Sequence, residues 1–384
     1  MRFPEFSGEW KSKFINDLAS VVGGGTPDTS VKSFWDGNIQ WFTPSEIGKN
    51  KYVDSSLRTI TEEGLNNSSA KLLPPHTILL SSRATVGECS LSLKECATNQ
   101  GFQSLIAQSC DTNFLYYLIQ TKKKDLIRKA CGSTFLEISA NEVRKIQVKI
   151  PYDNEQKKIA DFLSLIDERI FTQNKIIEKL ETLIKGFVDS IFTANKFPKV
   201  PFKEIYVRAG EGGTPATSNP EYYDNGTIPF IKIDDLQNKY IKTNKDCITE
   251  LGLQKSSAWI VPANSIIYSN GATIGAISIN LFPVCTKQGI LGVVPKADIN
   301  VEFLYYFMTS TAFTKAVERI VTEGTMRTAY LKDINHIPCP VPYPVKQDEI
   351  AKMLSTLSEK LENEVIFQMK LQKQKEFLLS QMFI

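Results

Sequence analysis

The chain has 384 residues, 42% of them hydrophobic and 23% charged, so two or three globular domains are expected. No apolar run is long enough to cross a bilayer, and the start Met1-Arg2-Phe3-Pro4-Glu5-Phe6 lacks a signal-peptide core. A net charge of +3 is far below that of a typical basic DNA-binding domain.

In chain order, residues 1–151 read as an α+β domain. Short apolar runs such as Thr77–Leu80 and Ile106-Ala107, bounded by Gly, Pro, Asn and Ser, predict strands and turns. An amphipathic helix is expected over 113–129, then an extended segment from Val143 to Pro151. Residues 152–195 follow as one long helix. Its apolar positions Leu163, Ile166, Ile170, Ile177, Leu180, Ile184, Phe187 and Ile191 alternate spacings of three and four, with Gln173 as the one polar member.

Residues 196–342 then repeat the first domain. Gly24-Gly25-Thr26-Pro27 returns as Gly212-Gly213-Thr214-Pro215, and Phe114-Leu115-Tyr116-Tyr117 as Phe303-Leu304-Tyr305-Tyr306. Comparing 61–101 with 249–289 without gaps, 18 of 41 positions are identical. A helix over 301–321 and an extended segment from Ile334 to Pro342 complete the second copy. Residues 343–384 form a second long helix on Ile350, Leu354, Leu357, Leu361, Glu364, Gln368, Leu371, Lys375, Leu378 and Met382.

Each long helix exposes an apolar stripe that must be covered. Antiparallel pairing of the two covers both stripes, with Gln173 and Glu364 near one level as a polar, register-fixing pair. The alternative is that both simply face solvent. The expected architecture is therefore α+β: two similar domains separated by two long antiparallel helices, with a pseudo-twofold internal repeat. Charge follows this division. Residues 1–150 hold 18 basic and 15 acidic side chains, and 196–342 hold 15 and 13; the stretch 151–195 holds 6 and 8, and 343–384 holds 6 and 6.

Duplex DNA has local twofold symmetry, and protein symmetry commonly matches half-site spacing of ~34–36 Å. Two copies that are similar but not identical predict two different half-sites. Here the resemblance becomes specific. Arg2-Phe3-Pro4-Glu5-Phe6 with Gly8-Glu9-Trp10, the two Gly-Gly-Thr-Pro motifs, Thr98-Asn99-Gln100-Gly101 and the final Leu-Leu-Ser-Gln-Met-Phe-Ile resemble the specificity subunits of type I restriction–modification systems. The resemblance covers the whole chain. It implies that each globular copy is a target recognition domain for half of a bipartite DNA site. It also implies that the helices are a spacer and a docking surface for two methyltransferase subunits, joined by restriction/translocase subunits. S-adenosylmethionine, ATP and Mg would then be bound by those partners, and no cofactor by this chain.

Base edges are read best by Arg, Lys, Asn and Gln. Loop positions that differ between fixed anchors are the candidates for different specificities. Ser82-Arg83 becomes Asn270-Gly271; Asn99 becomes Lys287 beside Gln100 and Gln288; Ser45-Glu46 corresponds to Asp234-Asp235. Arg83 is either a DNA contact or a solvated structural arginine. Gln100 and Gln288 agree between copies, which favours satisfying a turn. Thr26 and Thr214 sit in glycine turns, where positive φ and close backbone approach are available. Arg327, after Gly324-Thr325, has no arginine counterpart near Gly132-Ser133-Thr134. Lys123, within Lys122-Lys123-Lys124 and near Arg128 and Lys129, serves either phosphate or a solvated helix end.

Enzyme readings fare worse. A methyltransferase needs a glycine-rich cofactor loop and an Asn/Asp-Pro-Pro-aromatic motif; Asn219-Pro220-Glu221-Tyr222 has Glu at the second Pro and reads as a surface turn. No phosphate-binding loop of the form G-x-x-x-x-G-K-[ST] occurs, and neither His76 nor His336 lies in a nucleophile motif. The seven cysteines form no Cys-x-x-Cys pair and only two histidines accompany them, so no metal is expected. They read as reduced, mostly buried thiols of a cytoplasmic protein. A coiled-coil adaptor that does not bind DNA is the remaining rival, and it leaves the two globular copies without a task.

Overall fold

The computed structural model describes residues 1–132, 136–194, 197–271, 273–321 and 327–383. Of the residues singled out above, Ser133, Thr134, Gly324, Thr325 and Ile384 lie outside these, as do positions 195 and 196 at the junction into the second copy.

Each copy is built on the same two larger sheets and one two-stranded sheet. In the first, Ala19–Gly23, Gln103–Ala107, Ile78–Leu80, Cys89–Ser92 and Tyr52–Val53 lie side by side in that order. In the second, Tyr206–Glu211, Ile290–Pro295, Ile266–Ser269, Ile277–Asn280 and Tyr240–Ile241 repeat the order. All neighbours are antiparallel except the last pair in each. Smaller three-stranded sheets, Arg58–Ile60, Trp35–Phe42, Cys96–Thr98 and Asp246–Ile248, Ile228–Ile231, Cys285–Thr286, also match.

The central strands explain why so short an apolar run suffices. Side chains alternate across a strand, so Ile78 and Leu80 enter the core under the helices while Leu79 enters a second core with Phe42 and Phe102. Ile266 and Tyr268 on one side and Ile267 on the other do the same in the second copy. Both faces are covered, so every one of these positions is apolar.

The helix expected over 113–129 is two helices, Thr112–Thr121 and Lys123–Lys129, divided at Lys122. Likewise 301–321 divides into Val301–Thr309 and Thr311–Ile320, because Ser310 leaves helical geometry and its hydroxyl caps the second piece at the Phe313 amide. Asp111 and Asn300 cap the first pieces in the same way. The closing segments are also more than extended chain. Val143 lies in a short helix, Ala140–Arg144, and Ile334 in Leu331–Ile334; the strands proper are Gln147–Ile150 and Pro338–Pro340.

The long helices run Asp153–Ala194 and Pro344–Met382. Each begins by stapling itself to its own globular copy. Gln156 accepts from the Asp111 amide at 3.1 Å and donates to the Pro151 carbonyl at 2.9 Å; Gln347 repeats both bonds with Asn300 and Pro342, at 2.9 and 2.8 Å.

The chain divides into two compact units that split both long helices: residues 1–175 with 365–384, and residues 176–364. In the first unit Ile159, Ala160 and Leu163 share a core with Leu378 and Met382, with Ile166 packed against it. In the second, Val188 and Phe192 share a core with Ile350, Ala351 and Leu354, with Ile184 and Ile191 against it. In the first unit Asp167 pairs with Lys375 and Arg169 stacks on Phe367, so its two helix segments are antiparallel. Ile170, Gln173 and Leu371 are buried, and Ile177, Leu180, Leu357 and Leu361 half-buried. Phe187 departs from the expected seam: it is 41% exposed, while Val188 is 5%. A straight helix turns 3.6 residues, not 3.5, so the buried stripe drifts by one position here. Gln173 belongs to the first unit; Glu364 belongs to the second, where it pairs with Lys360.

Candidate nucleic-acid interface

The differing loop positions converge because the Gly-Gly-Thr-Pro turn lies against the strand that precedes Asn99. The Gly25 amide donates to the Thr98 carbonyl at 2.8 Å, and a Cβ on Gly24 would lie 1.9 Å from the Asn99 carbonyl oxygen. In the second copy a Cβ on Gly212 would lie 2.0 Å from the Thr286 carbonyl oxygen. Close approach is thus what these glycines provide; positive φ is not, since none of the four adopts it.

On this frame Thr26 donates to the Gln100 side chain. In the second copy the contact changes form, and the Gln288 amide donates to the Thr214 hydroxyl at 3.3 Å. Both glutamine side chains are exposed, and so is Lys287. Asn99 is turned inward instead: its side-chain oxygen accepts from the Gly101 amide at 2.8 Å, closing its own turn.

The loop after each central strand reaches the same place. The Ser82 amide donates to the Gly101 carbonyl at 2.8 Å, and the Asn270 amide to the Gly289 carbonyl at 3.0 Å. Ser82 and Asn270 are themselves buried, 0% and 1% exposed, which corrects their selection as contact side chains. Asn270 donates to the Ala329 carbonyl at 3.1 Å, a bond that brings the segment from Arg327 to this address. Alternation hides these two residues and presents their neighbours Arg83 and Gly271.

Arg83 is half in solvent and holds Glu137 through Nη2 at 2.6 Å and Nε at 3.1 Å. An exposed pair of this kind contributes about 0–1 kcal/mol, so a phosphate or base edge can replace the carboxylate. Lys287 and Arg327 are exposed, and among the described residues neither pairs with a carboxylate. One address therefore carries Thr26, Arg83 and Gln100 in the first copy, and Thr214, Lys287, Gln288 and Arg327 in the second. Lys123 is not part of it. It pairs with Glu88 and lines a cleft of about 740 Å³ beside the long helices of the first unit.

Two expected acidic positions are structural. Glu46 accepts from the Thr43 amide at 2.7 Å and Asp235 from the Lys232 amide at 2.9 Å, each closing a short turn. Asn219 caps the turn Pro220–Tyr222, its side chain accepting from the Glu221 amide at 3.1 Å. His76 and its counterpart Asn264 occupy one positive-φ turn position, φ 62° and 59°.

The repeat held a further signal. Asn50-Lys51-Tyr52 recurs as Asn238-Lys239-Tyr240 at the same offset as the longer matches. Lys51 is buried and the Lys239 side chain is 8% exposed, and both reach a serine of a long helix: Lys51 to Ser164 at 2.7 Å, Lys239 to Ser355 at 2.8 Å. Burial pushes the Lys51 ammonium down to about 8. Burial would raise the Glu302 carboxyl, but hydrogen bonds from Ser355 and Tyr240 and the charge of Lys239 hold it below the ordinary carboxylate value. Burial also pushes the thiols of Cys89 to about 12 and of Cys96 and Cys285 to about 11, so they stay protonated and inert. All seven cysteines are free; Cys131 is the exposed one. Among the described residues there is no cluster able to hold a metal, and no helix long and apolar enough to cross a membrane.

A duplicated α+β body, each copy followed by a long helix and presenting variable polar side chains at one address, defines a two-domain recognition protein. A model of the type I restriction modification DNA specificity domain matches residues 7–182 and again 199–370. The chain belongs to this family of specificity subunits. It is 29% identical to the type I restriction enzyme MjaIX specificity subunit of Methanocaldococcus jannaschii, over 97% of this chain and 92% of that one. Its fold is similar to that of the S subunit of the type I restriction–modification system of M. genitalium, with TM-score 0.57, 18% identity and coverage of 100% and 99%. It is also similar to a chain solved in work on complex assembly and conformational transition of a type I system, with TM-score 0.60, 14% identity and 98% coverage of each.

Proposed function

We propose that this chain reads an asymmetric, interrupted DNA site, one half with each copy, and carries methyltransferase and restriction/translocase subunits to it. The observation that carries this reading is the shared address: one main-chain frame in both copies, dressed with different polar and basic side chains. Conserved frames fix where a base edge is met, and the side chains decide which base is accepted. Two unlike sets therefore correspond to two unlike half-sites.

In this reading the chain contributes recognition and no bond-making chemistry. S-adenosylmethionine, ATP and Mg belong to the partners, and the complex works in the cytoplasm. The long-helix faces left outside the two cores, with exposed Leu165, Phe171, Phe367 and Met369, are where partner subunits would dock.

Methylome sequencing of cells carrying the intact system tests this. An interrupted motif that vanishes when this chain is deleted is the expected result; no such motif would sink the proposal. Replacing residues 1–150 by the equivalent domain of another subunit should change one half of the motif and leave the other.

A further inference from the structure

A lysine largely withdrawn from solvent in both copies needs a reason, because an ammonium taken from water must recover its lost hydration through fixed partners. The two lysines recover it in one way. Each sits on a turn whose two carbonyls accept the same pair of bonds, one from a main-chain amide and one from a serine hydroxyl. The Leu91 amide donates to the Lys51 carbonyl at 2.7 Å and the Ser90 hydroxyl to the Asn50 carbonyl at 2.7 Å. The Ile279 amide and Ser278 hydroxyl do so for Lys239 and Asn238, at 2.7 and 2.6 Å.

From that turn each ammonium crosses to the long helix. Lys51 donates to Ser164 and lies 5.0 Å from the ring centres of Tyr52 and Tyr117. Lys239 donates to Ser355 and to the Tyr306 hydroxyl at 3.1 Å, and lies 4.9 and 4.7 Å from the rings of Tyr240 and Tyr306. The serine is a single acceptor on a helix that turns about 100° per residue. A globular copy shifted by one residue along its helix would leave its ammonium without that acceptor.

We propose that each Asn-Lys-Tyr turn is a clasp that sets the position at which a recognition copy is carried on its helix, and so the tolerated spacing between half-sites. The inference rests on the DNA reading above for its functional consequence. Lys51, Ser164, Lys239 and Ser355 are positioning residues and make no contact with DNA. Lys51 is held by aromatic rings and one hydroxyl, and Lys239 also by the Tyr306 hydroxyl and the Glu302 carboxylate at 3.3 Å, so in each copy the serine of the long helix is the partner that ties the ammonium to one position on that helix.

The test uses the full chain with Lys51→Met, which keeps the apolar stem, with the milder Ser164→Ala, and with Lys239→Met and Ser355→Ala. Hydrogen exchange of the free chain reads the clasp directly. Lys51→Met and Ser164→Ala should speed exchange of the Leu91 amide at least tenfold and leave Leu80 unchanged; the second pair should do the same to Ile279. In the assembled complex, a library of sites with varied spacers should show modification at spacers one base pair too long or short, at least tenfold above wild type. Unchanged exchange and spacer strictness would overturn the clasp, and so would a uniform acceleration of all amides, which marks an ordinary core residue. If the wild-type complex modifies no interrupted site, the DNA reading falls, and the exchange measurement alone still decides the clasp.

Discussion

The two copies share a frame but place their charges differently, and the lysine clasps show how. In the second copy Glu302 stands 3.3 Å from Lys239 and also accepts from Tyr240 and Ser355. The first copy has Asn113 at that position, bonded to Tyr52 at 3.3 Å. Its carboxylate has moved to the long helix as Asp167, where the second copy has Ser358. Asp167 is already engaged by Lys375 at 2.8 Å and Tyr117 at 2.6 Å. Lys51 therefore lacks a carboxylate of its own. A fold tolerates relocation of a charge as long as each buried ion keeps some partner; the backbone does not register which element supplies it.

The largest difference between the copies lies at the helix starts. Glu155 is 1% exposed and held by Arg2 through two bonds of 2.7 Å, with Trp10 adding a third. Its counterpart Lys346 is solvated beside Glu349. Arg2→Ala should destabilise the protein clearly, because it leaves a buried carboxylate with Trp10 as its remaining side-chain donor. Lys346→Ala should have little effect, because the pair it breaks is solvated. Urea unfolding of both variants measures the contrast, and equal losses would break it.

Next in size is the pH response of Lys51. Its folded value of about 8 lies below the ordinary 10.5, so between these values the unfolded chain holds more protons than the folded one. Stability from this residue accordingly rises with pH across that window, by about 3 kcal/mol at most. Asp167, Asp111 and Glu168 oppose the shift, Lys375 adds to it, and burial raises Tyr52, Tyr116 and Tyr117. The stability of wild type relative to Lys51→Met should grow from pH 8 to 10.5. A flat difference would place the lysine in ordinary solvent.

Smaller effects separate the two readers. Arg83→Ala should relax discrimination in one half-site by about 1–3 kcal/mol, and Lys287→Ala in the other, as seen in binding to single-base variants of the site. Uniform loss across all variants would instead assign these residues to phosphates. The smallest change expected is Phe187→Gln, within about 0.5 kcal/mol, whereas Val188→Ala should cost more than 1 kcal/mol. Thermal melts that reversed this order would restore the strict heptad.

Much of this was readable in the residues, because repetition and periodicity are properties of order along the chain. The duplicated motifs, the strand at Ile78–Leu80 and both long helices follow from spacing alone. The breaks at Lys122 and Ser310 were missed, since a helix interrupted by one capped residue keeps its apolar rhythm on both sides. Ser82 and Asn270 differ between the copies, which marks them in the sequence as contacts, yet they are buried, where variation between copies records packing.

By itself the sequence determined that the protein is two similar α+β bodies with a long helix after each, since 18 matches in 41 positions admit no other origin. Only the tertiary structure decided which variable residues share one surface and which are sealed beneath it. It also decided that a lysine 113 residues from its serine is keyed to it. Such partnerships depend on distance in space, and a linear pattern records only distance along the chain.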